Sequence, residues 1–450
     1  SIVATETSTA TVLSIPGWAY VAEGDFRGLQ LAVGYVVGRV LVASVLLPQY
    51  FRGELFTSYE VLNRRFGGAT KTTASVLFLL TRTAGDGLRL YLAALVLSKF
   101  AGLSLPAAVG VTGVVTIAYT VFGGMRSVVW NDCVQLVVYL AGGLVALAVI
   151  LGRLPGGWEG LIEFGRETGR FRVFDFSPRL DDPFTFWAGL IGGAFLTLGT
   201  HGTDQLTVQR LLSARNETEA GRALVLSGVV VLLQFALFLL IGVALAAYFA
   251  VSPPEPPVAA GDEAFATFIV EDMPPGLCGL MLAAVFAAAM STLSSSLNSS
   301  AAAAVSDLIR PRLRDPSPER LLTLGRALTV LFGFAQIGVG LTAQGLIEAV
   351  AARGGGNVVE TVLAIAAFTT GIILGVFFLG VLTARVSQPA ALAGFLGGVA
   401  ATAAVRLAGA RTDFHLAWPW YAFVGAAATF AIGYAASFVL PAQNDGEPRA

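Results

Sequence analysis

The chain has 450 residues, of which 55% are hydrophobic and 13% charged, with a mean hydropathy of +0.75 and a net charge of −1. That composition excludes a soluble domain of this length, and the balanced charge without basic tracts argues against a nucleic-acid partner. The two cysteines, Cys133 and Cys278, both lie in apolar segments and read as buried free thiols, not as a disulfide framework.

Apolar stretches of about 20 residues, enough to cross a bilayer as a helix, recur along the whole length and predict an all-α polytopic membrane protein. Twelve spans are expected, over 1–22, 26–50, 72–98, 104–123, 127–152, 183–208, 221–250, 275–308, 322–345, 356–384, 388–408 and 416–440. The chain opens on Ser1 with no initiator Met and no signal peptide, and is read as an N-terminal truncation that has lost part of its first helix.

Polar residues inside these spans are the candidates for function, because charge at membrane depth is costly and faces a cavity or a partner. In the first span Glu6 is followed by Thr7, Ser8, Thr9 and Thr11, with Pro16 and Gly17 shortly after. An interrupted helix with free carbonyls fits this run, and so does a helix end that truncation has made look buried. Arg39 lies in the second span beside Gly34 and Gly38 and reads as a structural charge paired across helices. Arg82, Asp86 and Arg89 form an i, i+4, i+7 ladder in the third span, which suits intrahelical pairing, with solute contact by one arginine as the alternative. Asp132 sits just past the start of the fifth span. Asp204 and Gln205 follow Gly199 and Gly202 late in the sixth, where a helix break or end is expected.

The eighth span holds the densest set of small oxygen donors. Ala288, Ser291, Thr292, Ser295 and Ser299 share one helical face. Close helix packing is one reading of such a face, since Ala and Ser let membrane helices approach. The other is a site for a dehydrated hard monovalent cation, which takes several neutral oxygens.

Charge sorts the connections. Arg52, Arg64, Arg65 and Lys71, then Arg126, then Arg210, Arg215 and Arg222, then Arg310, Arg312, Arg314 and Arg320 all fall on one side, which the positive-inside rule makes cytoplasmic. The loop with Asp262, Glu263, Glu271 and Asp272 falls outside. Asp132 and Ser291 to Ser295 are then at similar depth near the cytoplasmic side.

Enzyme motifs are absent: there is no Gly-x-Ser-x-Gly, no Gly-x-x-x-x-Gly-Lys and no His-Glu-x-x-His. His201 and His415 are the only histidines and belong to no metal-ligand cluster, so no transition-metal site is expected.

Four stretches, Ser1 to Ser8, Gly123 to Gln135, Gly202 to Arg210 and Ala288 to Ser300, resemble the sodium/solute symporter family, which includes sodium–glucose, proline, sialic acid and multivitamin transporters. Each is weak alone, but together they extend over most of the chain in the expected order. The resemblance implies a LeuT-type fold of inverted five-helix repeats, the first in 1–152 and the second in 183–384, followed by two extra C-terminal helices in 388–440. It implies a multi-pass protein of the cell membrane, not an enzyme, that imports a small organic solute by alternating access. Sodium is the coupling ion, and no other cofactor is implied. By position, Ala4, Thr7, Ala288, Ser291 and Thr292 match the family's first sodium site, while Asp132, Ser294 and Ser295 match a second found in some sialic acid transporters. Glu6, Ser8, Thr11, Gln30 and Arg82 fall at positions that line the solute site. Glu6 replaces a neutral residue of the sialic acid transporters, and Thr200 and His201 stand where galactose carriers have an aromatic pair, so neither solute is implied. Proton coupling through Glu6 or Asp132 and a solute sensor or channel-like protein without coupled transport remain the alternatives.

Overall fold

A computed structural model describes residues 2–51, 57–122, 125–255, 257–258, 260–351, 358–409 and 415–440, with 125–131, 346–351 and 359 described by backbone alone. Arg52, Arg126 and the start of the Gly123 to Gln135 motif thus lie outside the described side chains. Among the described residues there is no β-strand.

The first span is broken. Helix α1 (Ile2–Glu6) ends at Thr7 and Ser8, and α2 (Thr9–Tyr20) begins after them. Ser8 is extended at φ −105° and ψ 174°, and its N–H turns to Thr11 Oγ1 at 3.3 Å. The break therefore precedes the Pro16–Gly17 pair, which sits buried inside α2. The second span is α3 (Leu29–Leu41), a π-helical turn at Val42–Leu46 and α4 (Leu47–Tyr50). A short α5 (Glu60–Phe66) leads to α6 (Gly68–Ala101), α7 (Leu105–Phe122) and α8 (Met125–Arg153), and α9 (Gly157–Glu167) lies in the loop that follows.

The sixth span is broken as well. A π-helical turn at Ala188–Gly192 and α10 (Gly193–Gly202) end at Thr203, and Asp204 starts α11 (Gln205–Leu211). Asp204 is an N-cap in extended conformation, and its carboxylate accepts the Leu206 N–H at 2.8 Å. The chain continues through α12 (Glu217–Val251), the short α13 (Gly261–Thr267), α14 (Pro275–Ala303), α15 (Pro318–Ala351), α16 (Val358–Leu382), α17 (Gln388–Gly409) and α18 (Trp420–Ala436).

All twelve expected spans have a helical counterpart, but among the described residues eight are long and apolar enough to cross a membrane by length and composition. The other four are explained by what they carry. Two are the broken helices, α6 holds Arg82, Asp86 and Arg89, and α18 has only 17 residues.

Helices in lipid gain no hydrophobic drive from meeting each other, so contact depends on van der Waals packing and interhelical hydrogen bonds. Gly34 of α3 shows how close the backbones come: a Cβ there would fall inside the Gly189 carbonyl oxygen. Of the cysteines, Cys278 is buried, whereas Cys133 is exposed on the outer face of α8, contrary to expectation. Side chains of a membrane protein can be apolar toward lipid as well as toward the core, and an apolar run does not tell the two apart.

Ion pairs tie the two ends of the bundle. At one end Lys71 bridges Glu60 (2.6 Å) and Asp307 (3.2 Å), and Gln205 of α11 accepts the Ser58 N–H at 2.7 Å. At the other end Lys99 meets Glu263 at 2.9 Å and Arg153 meets Asp272 at 3.6 Å. The Arg170 guanidinium donates to carbonyls at and just past the end of α2, among them Ala19 (2.5 Å), Val21 (2.7 Å) and Gly24 (3.2 Å).

Candidate functional site

The break in the first span leaves carbonyls without helical partners. Because the Ser8 N–H is taken by Thr11, the Ala4 carbonyl has no i+4 donor, and α1 instead packs on α14, α12 and α8. Ser291 of α14 places its hydroxyl 3.3 Å from the Ala4 oxygen, and Thr292 Oγ1 lies 3.3 Å from the Thr5 oxygen and 3.4 Å from the Thr7 oxygen. These separations are long for a hydroxyl hydrogen bond. They suit ligands shared by one cation: oxygens about 2.4 Å from an ion and at right angles to each other lie about 3.4 Å apart. Ala288, one turn before Ser291, is fully buried on the same face. Thr7 is fixed from the other side, since its hydroxyl is 2.9 Å from the Val3 oxygen and 3.0 Å from Gln234 Oε1 of α12.

Asp132 of α8 stands beside this group. It accepts from Ser291 Oγ at 2.5 Å and from Thr5 Oγ1 at 3.3 Å. The sequence puts this carboxylate and hydroxyl, 159 residues apart, only at similar depth; the fold brings them into contact. Asp132 and Ser295 are joined through a third residue, Arg210 of α11, whose Nη2 lies 3.3 Å from Asp132 Oδ2 and 2.6 Å from Ser295 Oγ. Ser294 is buried, with its hydroxyl 3.5 Å from the Ser291 carbonyl of its own helix.

A cavity opens next to the hydroxyl group. Thr5, Glu6 and Thr292 line one side, Arg82 and Arg89 of α6 another, and Thr200, His201 and Asp204 of the broken sixth span a third. Glu6 and Arg82, both expected at a solute site, are therefore in this cavity. Ser8, Thr11 and Gln30 are not among its lining residues. Ser8 and Thr11 hold the start of α2, while the Gln30 amide donates to the Phe184 carbonyl at 2.8 Å and accepts the Asp175 N–H at 3.2 Å in the loop ahead of the sixth span.

Every charge around the cavity has an opposite neighbour. Arg39, fully buried, pairs with Glu6 and approaches His201 Nε2 at 3.3 Å, as a charge paired across helices. Arg82 and Arg89 share Asp86 within α6, and Arg82 also lies 3.7 Å from Asp204. Ser296 of α14 donates to Asp86 and receives from Arg82 Nε at 3.1 Å, so the helix with the candidate sodium ligands also holds the cavity's arginine. Among the described residues no group of three or more His, Cys, Asp and Glu is placed to hold a metal ion.

His201 and Arg210 carry more of the site than their sequence context suggests. His201 looks like an isolated histidine, yet it faces the cavity from the end of α10. Arg210 looks like one more cytoplasmic arginine, yet its side chain is only 3% exposed. The signal for Arg210 was its place within two turns of the Asp204 cap.

Comparison with known proteins agrees with this architecture. The human sodium/iodide cotransporter is 30% identical over 89% of this chain and 61% of its own length, and the bovine sodium-coupled monocarboxylate transporter 2 is 32% identical over 89% and 63%. The chain thus spans somewhat less than two thirds of these relatives. A solved sodium-coupled sialic acid symporter, substrate-bound and outward-open, superimposes with a TM-score of 0.84 at 25% identity, covering 98% of this chain and 89% of that one. A nucleobase-cation-symport-1 transporter shares the fold at a TM-score of 0.56 and 15% identity. The fold is of the LeuT type, in a multi-pass membrane protein. The model of the sodium:solute symporter family matches residues 1–398, and the chain belongs to that family.

Proposed function

We propose that this chain is a sodium-coupled symporter that imports a small organic anion across the cell membrane by alternating access. The observation that carries the reading is the set of neutral oxygens at the first helix break. Ala4 and Thr7 carbonyls face Ser291 and Thr292 hydroxyls at the spacing of ligands around one ion, with Ala288 on the same face. Two bodies contribute to that set, α1 and α14, so an ion held between them favours the conformation in which they are close. Residues 1–152 and 183–384 act as the two repeats, each opening with a broken helix, and 388–440 adds the two further helices.

The preference for an anion rests on charge. The cavity's Arg82 and Arg89 are matched by Asp86 and Asp204, and its Glu6 by Arg39, so its fixed charges roughly cancel. Sodium beside Thr292, a cavity residue, then supplies the unbalanced positive charge. For unit charges about 8 Å apart at an effective dielectric of about 20, the attraction is roughly 2 kcal/mol, which ties anion binding to sodium binding about thirtyfold. Three of the proteins named above are named for iodide, monocarboxylates or sialic acid, all anions, whereas the more distant fourth is a nucleobase-cation symporter. Proton coupling is less favoured, because Glu6 and Asp132 each face an arginine.

The test is uptake of a labelled short monocarboxylate into proteoliposomes under an inward sodium gradient. Accumulation in sodium but not in potassium, with loss in Arg82→Gln, is expected. Uptake that follows a pH gradient in the absence of sodium would refute the coupling.

A further inference from the structure

Where the family resemblance places a second sodium, this chain places a side chain. The pocket between Asp132 of α8 and Ser295 of α14 holds the guanidinium of Arg210, with Nη2 2.6 Å from the serine hydroxyl and 3.3 Å from the carboxylate. Unlike the separations at the first helix break, the serine contact is well within hydrogen-bond reach. The other terminal nitrogen donates to the Leu206 carbonyl at 2.9 Å, which folds the side chain back along its own helix and fixes its reach. Asp132 and Arg210 are 1% and 3% exposed, so the pair is shielded from water.

We propose that Arg210 is the resident cation of this pocket, and that the chain therefore binds one sodium per cycle, at the first site alone. The proposal rests on the sodium-coupled reading above. Its logic is electrostatic. Asp132 carries one negative charge, and Arg210 already balances it. A sodium on Asp132 and Ser295 would sit about 4 Å from the guanidinium, and a like charge at that range costs roughly a thousandfold in affinity. Arg210 also has a mechanical consequence that an ion lacks. It is covalently part of α11, the inner half of the broken sixth span, so it ties that half-helix to α8 and α14 through Asp132 and Ser295. Asp132 in turn accepts from Ser291, a ligand of the first site. Movement of α11 thus reaches the sodium ligands through one carboxylate.

Equilibrium binding of radioactive sodium to the purified protein counts the ions directly. One sodium per wild-type chain is expected, two in Arg210→Gln, and one again in Arg210→Gln/Asp132→Asn. Arg210→Lys, which keeps a tethered cation, is expected to stay at one. Two sodium ions in the wild type, or one in a folded Arg210→Gln, overturn the proposal. The wild-type count decides even where a variant folds poorly. Wild-type protein that binds no sodium overturns this proposal together with the coupling reading, whereas a count of two overturns only this one.

Discussion

Thr292→Val separates a sodium ligand from a structural hydroxyl. The substitution keeps the shape of a side chain that is 2% exposed and removes only Oγ1. Without sodium that oxygen makes contacts of 3.3 and 3.4 Å to the Thr5 and Thr7 carbonyls, long enough that their loss costs at most about 1 kcal/mol. With sodium it is an oxygen on a charge, worth about 1.5–3 kcal/mol. The sodium dissociation constant should therefore rise roughly 10- to 150-fold, at about 1.4 kcal/mol per factor of ten. Linkage turns this into a stability difference. At sodium a hundredfold above its dissociation constant, the wild type gains about 2.7 kcal/mol, and a variant weakened tenfold gains about 1.4 kcal/mol. The assay is thermal unfolding in detergent across a sodium titration, with choline holding ionic strength constant. An unchanged sodium midpoint in Thr292→Val, or equal destabilisation in sodium and potassium, would refute the reasoning.

Two further substitutions test the frame around the site. Arg39→Leu leaves Glu6 without its guanidinium at membrane depth, and breaking a buried pair from one side costs about 3–5 kcal/mol; the melting temperature should fall in every salt, and Glu6→Gln/Arg39→Leu should recover much of the loss, whereas a double variant no better than the single would show that the pair is not what holds these helices. Gly34→Ala drives a methyl into the Gly189 carbonyl, so α3 and the start of the sixth span must separate, at a cost of about 1–3 kcal/mol in melting measurements; unchanged stability would mean that the approach is not needed.

How legible the site was depended on which interaction fixed each residue. The face of Ala288, Ser291, Thr292 and Ser295 follows from helical periodicity, and span lengths with the positive-inside rule put Asp132 at a similar depth, but its contact with Ser291 needed the fold. The break at Asp204 was readable because a buried acid after two glycines is a ready N-cap. In the first span the more obvious breaker, Pro16, is accommodated within α2, and the chain breaks at Thr7 and Ser8, where hydroxyls compete for backbone groups. Arg210 was hidden by the same rule that gave the orientation. A basic residue near a cytoplasmic helix end reads as a loop charge, and only the fold brings the end of α11 under Asp132. Gln30 shows the opposite case, for its amide is used by the loop ahead of the sixth span, a contact that no pattern in the sequence signals.

Thermal stability of the purified protein in sodium, potassium and choline chloride at matched ionic strength tests the central claim most directly, because it needs no knowledge of the solute. Selective stabilisation by sodium is predicted, rising with concentration as one site fills and lost in Ser291→Ala/Thr292→Ala. Equal stability of the wild type in all three salts across the titration would contradict a sodium site between α1 and α14.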